Sequence, residues 1–407
     1  MQEFHVVVYG ATSFVGKIIC RYLCDQYGAN GDLAWAIAGR SREKLEKVRQ
    51  DLGAEAAELQ LMVADAFDHE ALQAMCERTQ VVLSVVGPYA LYGEALVEAC
   101  VQTGTDYVDL TGEVLWMKDM IEKFGPSAHA NHARLVHCCG FDSIPSDLGV
   151  WHLQNLANQK SGQPCQRIRY RLKAAKGGVS GGTVASLLNV VKTVASDPSL
   201  RHVLGNPYAL CDDDQAVATK QPEITWAQHD DHLDRWVGPF VMAGINTRVV
   251  HRSNQLLHYD YGQDFQYDEG VITGFGTKGW LRAQSLVAAM AGFITTVAVP
   301  PLRWALEAWI LPKPGDGPSA ETQKNGFFDV RLYGETHDGR MIQTKVTGDA
   351  DPGYGSTAKM ISEAAICLAL DISKSEVSGG FWTPASALGS RLLERLESHG
   401  GMKFEEF

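Results

Sequence analysis

An apolar, β-branched run, Phe4 to Tyr9 (FHVVVY), leads directly into Gly10-Ala11-Thr12-Ser13-Phe14-Val15-Gly16, and then into Lys17 to Tyr27, where Ile18, Ile19, Tyr22 and Leu23 recur at helical spacing. An unbroken apolar run is what a strand buried on both faces of a parallel sheet requires. Gly10 permits the tight turn that follows it, and Gly16 lets the next helix lie close to the sheet. Together they read as the phosphate loop of a dinucleotide-binding unit. Ser13 stands where the Gly-x-x-Gly-x-x-Gly form has its middle glycine. Its hydroxyl can donate to a phosphate, while its side chain limits how closely the backbone approaches one.

The following segments repeat the same alternation. Leu33 to Ala38 is a second strand, and Ser41 caps a charged helix from Arg42 to Leu52 with Glu43 in its first turn. Leu59 to Ala64 and Val81 to Val86 are a third and a fourth strand, and Tyr107 to Leu110 and Leu135 to Cys139 are two short ones. This order predicts an α/β fold, a Rossmann doubly wound parallel sheet over residues 1–148. Beyond Leu148 the rhythm changes. Arg167 to Ala174, Val237 to Ala243, Leu256 to Tyr261, Phe327 to Tyr333 and Met341 to Thr347 read as strands, with a glycine-rich turn at Gly177 to Thr183 before a helix at Val184 to Val194. Residues 149–354 are therefore expected to form a second α+β domain, for substrate or for pairing as a homodimer. It is inserted before a C-terminal helix, Ser356 to Leu370, within a segment 355–407 that packs back on the first domain.

The cofactor's identity is read at the end of the second strand. NAD sites commonly place an acid there for the ribose hydroxyls, whereas this chain has Gly39, Arg40, Ser41 and Arg42. Guanidinium groups attract a 2′-phosphate that a carboxylate would repel, which points to NADP(H). The expected cofactor contacts are Gly10, Thr12, Ser13, Phe14, Val15, Gly16, Arg40 and Ser41, with Asp65 near the adenine. Gly87 and Pro88, at the end of the fourth strand, should lie near the nicotinamide.

Hydride chemistry belongs to the cofactor, so the protein must orient the acceptor and supply a proton. Tyr89, Glu113 and Asp142 are the candidates for catalysis, with Tyr92 and Ser143 beside them on strand ends. Glu113 can equally begin a helix, and Gly140 to Asp147 can equally be a loop with helix caps. Cys138 and Cys139 read as apolar strand residues. No tyrosine has a lysine four residues on, which argues against the short-chain dehydrogenases. His229 to Asp234 (HDDHLD) is a contiguous polar run that reads as solvated surface, and no metal site is expected.

With 36 Lys and Arg against 48 Asp and Glu, the net charge of −12 excludes a nucleic-acid partner. Nine cysteines without metal spacing suit a reducing cytoplasm, and the start Met1-Gln2-Glu3-Phe4-His5 lacks the basic region of a secretory signal. Ala283 to Leu302 carries no charge and is followed by Trp304 and Trp309. Within 283–311 a buried helix, a dimer surface, a peripheral contact at the inner face of a membrane and a true span all compete.

YGATSFVG, AGRS, VVGPYALYGEALVEACVQTGTDYVDLTGE, HCCGFDSIPSDLG and DPGYGSTAKMISEAA, spread from Tyr9 to Ala365, together resemble the saccharopine dehydrogenase-like oxidoreductases, nearest to the trans-acting enoyl reductase subgroup. Ser13 departs from the family's glycine. The resemblance implies NADP binding, a mixed second domain and a role near lipid metabolism. The leading expectation is an NADPH-dependent reductase of an activated C=C bond in a hydrophobic acyl or polyketide-type substrate, free or carrier-bound. A non-catalytic NADP-binding protein at lipid surfaces and a saccharopine-type amino-acid dehydrogenase are the alternatives. The second would need converging cations, and Arg167, Arg169, Arg171, Arg248 and Arg252 are too scattered in sequence to place.

Overall fold

The computed structural model describes residues 2–178, 181–212, 219–299, 301–304 and 317–407. The first of its two sheets has seven strands, all parallel: β1 (Phe4–Tyr9), β2 (Trp35–Gly39), β3 (Gln60–Val63), β4 (Thr79–Ser84), β5 (Asp106–Asp109), β6 (Arg134–Val136) and β13 (Gly380–Trp382). Their order is β13-β6-β5-β4-β1-β2-β3. Chain direction across the sheet reverses at β1, which pairs β2 on one side and β4 on the other. That switch opens a crevice above the carboxyl ends of β1 and β4, where ligands of such sheets bind. The helices that cover this sheet are α1 (Phe14–Tyr27), α2 (Arg42–Leu52), α3 (His69–Cys76), α4 (Tyr89–Tyr92), α5 (Glu94–Thr103) and α6 (Val114–Ala130).

The second sheet is mixed and also has seven strands, in the order β14-β12-β11-β7-β10-β9-β8. These are β7 (Cys165–Lys176), β8 (Gln228–Asp230), β9 (Arg235–Pro239), β10 (Gln266–Gly274), β11 (Phe327–Thr336), β12 (Met341–Gly348) and β14 (Met402–Glu406). Helices α7 (Ile144–Ser161), α8 (Gly181–Ser196), α9 (Arg201–Gly205), α10 (Ala243–Leu256), α11 (Gly276–Ala298), α12 (Ala320–Lys324), α13 (Thr357–Leu370) and α14 (Pro384–Ser398) complete the chain.

One buried apolar cluster crosses between the sheets, from Val6, Val8 and Ile37 through Ile144, Leu148 and Leu153 to Tyr170, Val330 and Leu332. Helix α7 makes that connection and runs straight across residue 148. At Gly149 the side chains of Leu332 and Val346 come so close that a Cβ there would meet them at 3.2–3.3 Å. Helix α13 is buried from Thr357 to Leu368 except at the partly exposed Lys359, which marks it as a core helix. Segment 355–407 divides its strands, giving β13 to the first sheet and β14 to the second.

Two expected strands are corrected. Val237 to Ala243 keeps its strand only to Pro239, and α10 starts at Ala243. Leu256 to Tyr261 is the end of α10 and a turn in which His258 and Tyr259 take left-handed φ values of 56° and 63°. The strand of this region is β10. Its Asp268 and Glu269 are buried, an acidic pair that breaks the apolar signal. The expected turn residues Val179 and Ser180 and most of Pro312 to Gly317 lie outside the described residues.

Candidate active site

The glycine loop is fixed by close contacts. Gly10 has φ 92°, and a Cβ there would come within 2.8 Å of Val86 Cγ2. A Cβ on Gly16 would strike the Gly10 carbonyl at 2.3 Å. Ser13 does more than the sequence suggested. It is the N-cap of α1, its Oγ accepting the Gly16 N–H at 3.0 Å. The first-turn amides of Phe14 and Val15 have no helical acceptor, as at any helix start, which suits them to bind an anion. Phe14 meets Tyr354 edge-on, with centroids 4.8 Å apart, and Gly317 lies against the Phe14 ring.

Beside this loop, Thr12 lies within 4.0 Å of where a Cβ on Gly39 would be. Arg40 is exposed and makes no hydrogen bond or ion pair among the described residues. Its neighbour Arg42 is spent on Glu46 at 3.2 Å, and Ser41 Oγ caps α2 by accepting from Lys44 N at 3.4 Å. Asp65 Oδ1 accepts from Phe67 N at 3.1 Å, so this acid holds the turn after β3. A tight glycine turn, open helix amides and an unpaired guanidinium at the end of β2 are what NADP(H) needs. The chain's own residues fit it.

At the end of β4 the structure places Tyr89 and Glu113 among internal partners. The Gly87–Pro88 peptide is cis, and Tyr89 behind it is buried. Its hydroxyl donates to the Ser84 carbonyl at 3.1 Å and accepts from Leu110 N at 3.0 Å, which ties β4 to β5 and engages its proton internally. Burial also pushes its pKa well up. Glu113 receives the amides of Tyr89 at 2.8 Å and Ala90 at 3.1 Å, so it caps α4 from across the site. The Ser186 hydroxyl, on α8 of the second domain, also donates to Glu113, at 2.8 Å.

Asp142 is different. It sits just before α7, partly buried, with no hydrogen-bond partner among the described residues, and loss of water raises its pKa to about 6. Apolar side chains lie against two glycines of the nearby strand-end loops. A Cβ on Gly140 would touch Leu110 Cδ2, and one on Gly112 would reach Met242 and Ile245 at 4.0 Å. Phe141 N donates to Thr357 Oγ1 at 3.1 Å, so the start of α13 fixes this loop. Ser143 is buried and donates to Asn246 at 3.0 Å. Cys138 and Cys139 are buried, and burial pushes both thiols well up.

Two further groups escape a sequence reading. Asp109 and His137 form a buried pair at 2.7 Å where β5 and β6 end. Asp351 takes the amides of Tyr354 and Gly355 at 3.1 and 2.9 Å and so shapes the DPGYGS turn over the glycine loop. The only sequence signal for the latter was the DPGYGST motif itself.

Residues 6–135 match the family model for the saccharopine dehydrogenase NADP-binding domain. A Mycobacterium tuberculosis protein named among the trans-acting enoyl reductases is 39% identical over 410 residues, spanning 98% of this chain and 96% of its own. The trans-acting enoyl reductase of Mycobacterium leprae is 36% identical over 412 residues, with 98% and 97% covered. This chain belongs to the saccharopine dehydrogenase-like oxidoreductases, in the trans-acting enoyl reductase group. Saccharopine dehydrogenase (L-Glu forming) from Saccharomyces cerevisiae shares its fold, with a TM-score of 0.53 at 12% identity over 99% of both chains. As a member of this family the protein is an NADP-dependent oxidoreductase. Ser13, at the middle position of the loop, caps α1 in place.

Proposed function

We propose that the protein reduces the activated C=C bond of a hydrophobic acyl substrate, free or carrier-bound, in the sense that its relatives' names describe. The observation that carries this reading is Asp142, which unlike Tyr89 and Glu113 has no hydrogen-bond partner among the described residues. NADP(H), when bound, supplies the hydride. Asp142 in its protonated form delivers the matching proton as the double bond becomes saturated, and the carboxylate is reprotonated from water. Burial keeps its pKa near the working range of a general acid. The apolar side chains of Leu110, Met242 and Ile245 favour an acyl chain over a charged ligand.

The amino-acid dehydrogenase reading finds no support in the cations. Arg171 is held by Asp230 at 2.9 Å and also by Asp268, and Arg169 by Glu335 at 3.0 Å. Arg248 donates to the Leu204 carbonyl, and Arg252 to the carbonyls of Leu210 and Phe381. These arginines serve the fold and leave little charge for a multiply ionised amino acid. Replacing Asp142→Asn tests the assignment. NADPH oxidation with an enoyl thioester should fall by ~10²- to 10⁴-fold, the usual range for a general acid, with NADPH affinity unchanged. A variant as fast as the unmodified protein would remove Asp142 from the mechanism.

A further inference from the structure

We propose that α11 and the residues just after it dock this protein on the surface of an anionic phospholipid bilayer. Helix α11 has 23 residues and is long and apolar enough to cross a membrane, yet only Gly279, Ala283 and Val297 are buried. An amphipathic helix of a globular protein normally turns a broad apolar stripe inward. Here Trp280, Leu281, Ile294, Leu302 and Trp304 face outward, with 40%, 56%, 51%, 49% and 66% of their surfaces exposed. Apolar residues flanked by tryptophans suit a helix lying in the plane of a membrane interface.

Charge selects the occupant. From Gly276 to Trp304 the charged residues are Lys278, Arg282 and Arg303, with no acid, in a chain whose net charge is −12. None of the three has an ion-pair partner among the described residues. A negative lipid surface attracts this patch and repels most of the remaining molecule, which orients the protein with α11 toward the bilayer. A second copy would bring the same cations against each other, an arrangement that like-charge repulsion disfavours. The patch also leads to the site. Val297 and Phe293 of α11 pack on Leu188 and Val191 of α8, and α8 reaches Glu113 through Ser186. A bilayer under α11 therefore places acyl chains one helix away from the crevice. This last point rests on the reductase reading, whereas the docking itself does not.

Co-sedimentation of the NADPH-loaded full chain with phosphatidylcholine vesicles, with and without phosphatidylglycerol, tests the proposal. Binding should need phosphatidylglycerol, weaken with salt, and fall about fivefold for each of Lys278→Ala and Arg282→Ala. The double variant Leu281→Glu with Ile294→Glu should lose it. Oxidation of NADPH with a short, water-soluble enoyl thioester should be unaffected by these changes, which separates failure of docking from failure of the reductase reading. Absence of binding to both vesicle types would overturn the proposal. So would a dimer, seen by light scattering, that Ile294→Glu dissociates, since α11 would then be covered by a second copy.

Discussion

Arg40 offers the sharpest perturbation of the cofactor site. It is exposed at the end of β2 and forms no bond within the protein among the described residues, so Arg40→Ala should leave folding stability essentially unchanged. Its expected contribution is to the 2′-phosphate alone. Charge-assisted hydrogen bonds contribute roughly 1.5–3 kcal/mol each when well shielded. Solvent at an exposed site reduces that, and about 2 kcal/mol in total is a fair value for a guanidinium and a phosphate. At 1.36 kcal/mol per decade this corresponds to about 30-fold. Fluorescence titration should show the Kd for NADPH rising by about that factor while the Kd for NADH hardly moves. Arg42 supplies the internal control. It is already paired with Glu46, so Arg42→Ala should change the NADPH to NADH ratio far less. If Arg40→Ala leaves that ratio intact, or if Arg42→Ala lowers it as much, the reading of the β2 terminus is wrong.

Three further outcomes follow from the same geometry. Because Asp142 must be protonated to act and titrates at about 6, kcat/KM for enoyl reduction should be flat below that pH and fall tenfold per unit above it, and Asp142→Asn should abolish the break. Glu269 is buried, accepting from Tyr267 at 2.6 Å and Asn246 at 2.9 Å, and its pKa is raised to about 7. Its folded pKa lies above the unfolded one, so its contribution is fully present below about pH 4 and is lost as pH rises to 7, at about 1.4 kcal/mol per unit. Denaturant titrations at several pH values should show Glu269→Gln flattening that slope; an unaltered slope would place the proton elsewhere. Tyr89→Phe removes a buried hydroxyl that serves both Ser84 and Leu110, and should cost about 1–3 kcal/mol of stability without removing the pH break in activity.

What could be read from the sequence was local. The Phe4 to Tyr9 strand, its glycine loop and the Arg40 position follow from neighbours within a few residues, so periodicity and turn chemistry suffice. The tasks of Tyr89 and Glu113 were hidden because their partners are brought together by sheet pairing. Tyr89 bonds to backbone in β4 and just after β5, and Glu113 reaches amides 23 and 24 residues earlier in the chain. Strand β10 was illegible because Asp268 and Glu269 look like surface until Arg171 and Asn246 are placed beside them. The Leu256 to Tyr261 run looked like a strand because of its leucines and tyrosines, and left-handed His258 and Tyr259 turn it instead. Strands β13 and β14, of three and five residues, carry too little pattern to be recognised without their partners.

The proposed enoyl reduction takes its hydride from NADPH and its proton from Asp142. Product analysis after incubation with NADPH in deuterated water and an α,β-unsaturated acyl thioester tests it most directly. The expected products are a saturated thioester with one solvent deuterium at the α carbon and one NADP⁺ per product, with turnover lost in Asp142→Asn. NADPH that binds but is not consumed by any enoyl thioester, short or long, would contradict the proposal.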